Sequence, residues 1–142
     1  MACVTDRAVA LLSIHPNFAE AILSGKKLIE LRKRIPSKEI AEIIIYATAP
    51  KSAIIGKFEV KGMLKMAPRS LWKQHNPKLG VTKSEFESYF RGKDIAFGYE
   101  IGNIHAFRKP IYLSQLSSEL VPPRDFCYLD NSMLQLLALI SA

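Results

Sequence analysis

Residues 24–38 read S-G-K-K-L-I-E-L-R-K-R-I-P-S-K, and the fold turns on how this stretch is taken. Gly25 stands where a helix would stop, the middle alternates as a strand does, and Pro36 closes the run. Six cations (Lys26, Lys27, Arg32, Lys33, Arg34 and Lys38) accompany one acid, Glu30, so +5 of the chain's net +7 falls in thirteen positions. Period two places Lys26, Leu28, Glu30 and Arg32 on one face and Lys27, Ile29, Leu31 and Lys33 on the other. Strict alternation therefore separates Lys27 from Glu30. A bulge, or the turn after Gly25, must swing Lys27 round if all three charged residues are to serve one cleft.

Upstream, residues 7–14 (R-A-V-A-L-L-S-I) form a short apolar run of the kind a strand buried on both faces needs. His15-Pro16-Asn17 breaks it, and Pro16 suits the first turn of a helix. Phe18 with Ile22, and Ala19 with Leu23, give that helix one apolar face. Downstream, residues 38–42 make a polar connection with room for one helical turn, and residues 43–47 (I-I-I-Y-A) are the clearest core strand, with Tyr46 inside. After a turn at residues 48–52, residues 53–66 read as a long strand bent by a bulge, with Phe58 in the core. A short helix is expected over residues 70–75, then a loop containing Pro77. Thr82 and Glu85 spell a capping box opening a helix to about Phe90. Residues 94–107 alternate as strand, with a possible turn at Gly102-Asn103, and residues 110–113 suit a short last strand. Residues 121–123 (V-P-P) end the compact region, and residues 130–140 resemble a terminal helix capped by Asn131 or Ser132.

A chain of 142 residues with 49% apolar and 23% charged content is one globular domain. Its pI near 9.5 suits anionic partners such as nucleic acid or nucleotides, the alternative being lysines that only keep it dispersed. Cys3 and Cys127 have no Cys or His at metal spacing, which argues for a reducing cytoplasm. No apolar run is long enough for a membrane span or a signal core. No phosphate loop, zinc motif or cofactor fingerprint is present. Five or six strands with two or three inserted helices, glycine-marked bends and no regular strand–helix alternation point to an α+β protein, a small mixed barrel rather than a doubly wound sheet.

The run S-I-H-P-N-F-A-E-A-I-L-S-G-K-K-L-I-E-L-R-K-R resembles the signature of the ASCH domain, a Gly-x-Lys-x-x-Glu-x-Arg motif carried here by Gly25, Lys27, Glu30 and Arg32. Y-A-T-A-P-K-S-A-I-I-G and V-P-P-R-D-F-C-Y-L resemble later parts of the same family, so the likeness covers nearly the whole chain. The resemblance implies a PUA-like pseudo-barrel over residues 1–129 with a cleft beside the motif strand, and leaves residues 130–142 as a C-terminal helix packed on the domain or on a second copy. It also implies RNA or other nucleic acid as partner. Some members of the family are amidohydrolases of N4-acetylcytidine that use a Lys, a Thr and a Glu, and a ribonuclease activity is attributed to others. Lys27 matches that Lys, Glu30 occupies the Thr position, and the Glu belongs to the divergent residues 78–87.

Lys27, Glu30 and Arg32 admit three readings. They are a surface ion pair of under about 1 kcal/mol, or a grip on phosphate and base, or a catalytic pair in which Glu30 is general base and Lys27 stabilises an oxyanion. Lys26, Lys33, Arg34 and Lys38 are a phosphate-tracking stripe or a solvated charge run. Trp72, beside Lys73, His75 and Lys78, is a stacking platform for an unpaired base or a core residue. His15 caps the helix or touches a ligand, His75 and His105 are exposed, and Ser13 lacks a His–Asp partnership. The wide apolar face of residues 133–140 must be covered, by the domain or by a homodimer partner.

Overall fold

A computed structural model describes residues 7–142; Cys3 lies outside them. Its elements in chain order are β1 (Ala8–Ile14), α1 (Pro16–Leu23), β2 (Ile29–Arg32), β3 (Ile40–Ala47), β4 (Ala53–Met66), α2 (Pro68–Leu79), α3 (Lys83–Tyr89), β5 (Ala96–Ile111), β6 (Phe126–Tyr128) and α4 (Asn131–Ser141). The six strands make one sheet in the order β2-β5-β4-β3-β1-β6. Only β1 and β3 run parallel, joined through α1 and β2, and every other pairing is antiparallel. Register shifts in β3–β4 and β4–β5 bend the long strands, so the sheet curls into a half-barrel open between β2 and β6. The α+β expectation holds, with four helices including the C-terminal one.

Both faces of this sheet are covered, which is why β1 and β3 are apolar apart from Ser13 and Glu42. On one face Leu12, Ile43, Ile45 and Phe58 pack with Ala19 and Ile22 of α1. On the other Leu11, Ile44, Tyr46 and Ile54 pack with Leu129 and with Leu137 of α4. A third cluster joins Ile29 and Leu31 of β2 to Leu71 and Leu79 of α2, to Phe86 within α3 and to Phe90 just after it. Each fully buried Leu or Ile contributes about 1.5–3 kcal/mol of transfer free energy.

The structure corrects several sequence readings. The polar connection at residues 38–42 has no helical turn, because Ile40 already pairs with Ala8 in β3. The helix expected over residues 70–75 runs to Leu79 with Pro77 inside it, held by the wholly buried Leu71 and Leu79 and stopped by Gly80 at φ +66°. Gly102-Asn103 is no turn: β5 continues through it against β4, with Asn103 Nδ2 donating to Glu59 Oε1 at 3.1 Å. The separate strand at residues 110–113 is the end of β5 followed by a 3-10 turn, Leu113–Gln115. The compact region does not end at residues 121–123, since β6 pairs with β1. Asp130, not Asn131 or Ser132, caps α4 by accepting from Met133 N at 2.9 Å. His75 is half-buried, whereas His105 is exposed. No helix among the described residues is long and apolar enough to cross a membrane.

Candidate functional site

The site is built where α1 hands over to β2. Gly25 takes φ +81° after α1, and the next two amides, of Lys26 and Lys27, both donate to Ala21 O at 2.9 and 3.0 Å. Leu28 N then donates to Lys78 O at 2.9 Å. The strand expected from Lys26 therefore starts three residues later, at Ile29, where the ladder with β5 begins. Lys27 lies in the turn, outside the alternation, and this brings it to the same cavity as Glu30 and Arg32.

That cavity has a volume of about 440 Å³. Lys27, Glu30 and Arg32 form one side, His15 and Phe18 of the α1 start another, and Glu85, Phe86 and Tyr89 of α3 a third. Lys27 is 1% exposed. Its Nζ donates to Leu79 O at 2.5 Å and sits 5.1 Å from the Phe18 ring centroid. No carboxylate of the described residues comes within ion-pair distance of it. Burial lowers its pKa from the usual lysine value, and the negative fields of Glu30 and Glu85 only partly restore it. An ammonium has three donors, and Leu79 O is the one acceptor this one reaches among the described residues.

Arg32 is committed to the protein itself. Its Nη1 donates to Glu30 Oε2 at 3.3 Å and to Ser13 O at 3.2 Å, and its Nη2 donates to Asp125 O at 2.9 Å. It thereby ties β2 to the end of β1 and to the segment entering β6. Ser13 Oγ reinforces that closure by donating to Pro123 O at 2.6 Å. His15 lines the cavity, but its Nδ1 caps α1 by accepting from Asn17 N at 3.2 Å.

The remaining expected cations spread out. Lys33 lies 4.5 Å from the ring centroid of Tyr89, at the cavity rim. Lys38 covers Tyr128 at 4.9 Å and lines a different depression. Lys26 and Arg34 are exposed and line neither. Trp72 is half-buried against Phe86 and borders a separate cavity beyond α3. Among the cavity residues that the sequence reading did not single out for the site are Glu85 and Tyr89. Glu85 reads from the sequence as the capping acid within the divergent residues 78–87, and it does accept from Thr82 N at 2.8 Å. Tyr89, whose hydroxyl donates to Leu31 O at 3.3 Å, gave no signal beyond its helix; burial raises its pKa.

A curled six-stranded half-barrel with an acid–base-lined cavity at its α1–β2 corner defines a PUA-like domain. The ASCH domain model matches residues 12–105, and the chain belongs to that family. A protein of Zymomonas mobilis described as an ASCH domain-containing ribonuclease is 31% identical, over 100% of this chain and 98% of its own length. The crystal structure of ASCH from Zymomonas mobilis superposes with TM-score 0.90 at 30% identity, covering 96% of this chain and 98% of that one. The N-terminal domain of Staphylothermus marinus McrB, at 14% identity and TM-score 0.58 over 97% of each chain, shares the fold.

Proposed function

We propose that this chain binds single-stranded RNA and receives one nucleobase or nucleoside in the cavity lined by Lys27 and Glu30. The observation that carries the reading is the enclosed lysine. A buried ammonium with no carboxylate within ion-pair distance among the described residues, beside a buried carboxylate in a cavity of about 440 Å³, suits a small ligand with both an acceptor and a donor edge, as a base has. Filter binding of labelled RNA in rising salt tests it. Retention is expected at low salt and should fall as salt rises, and Lys27→Met and Glu30→Gln should each weaken it about tenfold. No retention of any RNA or DNA at low salt overturns it.

A second reading adds catalysis, and the ribonuclease description of the whole-length Zymomonas relative favours it. In RNA cleavage the 2′-oxygen attacks the adjacent phosphorus, its proton passes to Glu30, and the 5′-oxygen leaves with a proton from Lys27. A lysine with lowered pKa is a better proton donor at neutral pH than an ordinary one. Glu30→Gln should then abolish cleavage while leaving binding measurable. Acylated nucleosides of the N4-acetylcytidine type belong in the same assay, although Glu30 in place of a threonine leaves no hydroxyl nucleophile there. Two further proposals stand apart from the cavity: a cytoplasmic location, argued from two cysteines without disulfide or metal spacing, and a pairing of α4 with a second copy through the exposed Leu136, Leu139 and Ile140, which sedimentation as a monomer overturns.

A further inference from the structure

Beyond α3 lies a second cavity of about 610 Å³, bordered by the start of α2 and the outer side of α3. Its wall is aromatic: Trp72 tilts against Phe86 with ring centroids 5.2 Å apart, and Phe86 against Phe90 at 4.9 Å. Phe86 also lines the Lys27 cavity, so the two sites flank one seven-residue helix. Their charges differ. Around the first cavity Lys27 and Arg32 are matched by Glu30 and Glu85, so the lining carries no formal excess of positive charge. Around the second, Arg69, Lys73, Lys83 and Lys93 outnumber Glu87 and Asp94 by two. A site whose lining charges balance suits a base; a positive groove with an aromatic wall suits the sugar-phosphate chain and an unpaired base next to it.

We propose that this groove is a second nucleic-acid subsite, occupied by the single-stranded nucleotides that flank the one held in the Lys27 cavity. Trp72 offers its exposed part to a base, and Lys73 and Lys93, both exposed, hold phosphates. The helix between the sites is only about 10–12 Å across with its side chains, a span that one strand crosses in a few nucleotides. Duplex RNA is excluded, because its stacked bases present no free face to Trp72. The proposal rests on the RNA-binding reading above.

Trp72 is the chain's single tryptophan and lines the groove but not the Lys27 cavity, so its fluorescence reports on the groove, with the dinucleotide as the control for effects passed through Phe86. The full chain is titrated with a dinucleotide and with a single-stranded RNA of about eight nucleotides, with fluorescence and calorimetry read together. The longer RNA should quench Trp72 and bind at least about tenfold more tightly than the dinucleotide. Combining Lys73→Glu with Lys93→Glu should remove that advantage, leave the dinucleotide affinity unchanged, and flatten the slope of log affinity against log salt by about 1.4 for two lost phosphate contacts. Equal binding of both lengths, or longer-RNA affinity and slope untouched by the double variant, overturns the groove while the first cavity stands. If neither RNA binds, the RNA-binding reading falls and the groove falls with it.

Discussion

Lys27 bears a positive charge inside the protein with a carbonyl and an aromatic face as its close partners. Burial disfavours that charge, so the folded chain releases the proton at a lower pH than the unfolded one. Below the folded pKa both states are charged and the folded state carries a constant penalty. Between the folded pKa and 10.5 the unfolded chain binds more protons, and stability rises with pH. Wild type should therefore gain on Lys27→Met as pH is raised from neutrality towards 10, measured as the difference between their thermal midpoints. A difference that stays constant would show that Lys27 titrates normally. Above pH 10 both proteins lose stability together, because burial pushes Tyr99 up to about 12 and the folded state then holds the extra proton, while the difference between them levels off. Arg32 makes the opposite case, a charge whose partners are all within the fold. Arg32→Met leaves Glu30 buried without its cation and should cost about 3 kcal/mol in urea unfolding. Hydrogen exchange should quicken in residues 123–128, where Asp125 O loses its donor. Adding Glu30→Gln should recover part of the loss, since the stranded charge is then gone. If Arg32→Met lowers RNA affinity and leaves exchange untouched, the guanidinium belongs to the ligand instead.

The elements around the site show what local sequence does and does not dictate. Gly25 ending α1, the Thr82–Glu85 box opening α3, and the apolar runs of β1 and β3 are each set by neighbours within a few residues, and all were readable. The start of β2 was not. Whether residues 26–28 join a strand depends on Ala21, Lys78 and Ile101, which supply their hydrogen-bond partners from elsewhere in the chain. That unseen choice is what puts Lys27 on the side of Glu30. β6 has three residues, too few for a pattern, and exists because β1 offers it an edge. Gly25 and Gly80, two of the three left-handed glycines of the described residues, separate backbone cost from site cost. Nothing lies within 4 Å of a Cβ added at Gly25, so Gly25→Ala should cost only the conformational penalty of about 1–2 kcal/mol. At Gly80 the same Cβ would stand 2.7 Å from Cβ of Lys27. Gly80→Ala should therefore cost more in urea unfolding and also weaken RNA binding, by displacing Lys27. Equal losses in the two variants, with binding unchanged in both, would show that α2 does not position the lysine.

At the scale of the molecule, the sheet separates two jobs. One face and the α2–α3 cluster build the cavity, while the opposite face is closed by Leu113, Leu116 and Leu129 together with α4. The family motif therefore made the cavity side legible, but α4 showed only a broad apolar face with two possible covers. The structure divides that face. Leu137 is 4% exposed and packs with Leu11, Ile44 and Tyr46, and Met133 and Leu134 flank it. Leu139, at 75% exposed, points away. If α4 belongs to its own domain's core, Leu137→Ala should cost about 2–4 kcal/mol of unfolding free energy, with both the lost burial and the cavity contributing. Leu139→Ala should then change stability by less than about 0.5 kcal/mol. A comparable cost at both positions, with the Leu139 effect growing as protein concentration rises, would mean that a second copy covers the outer face and that the folded unit is a dimer. The two substitutions sit two residues apart on one helix with the same side chain removed. Helix propensity therefore cancels between them, and what differs is how much surface each leucine buries and what it touches.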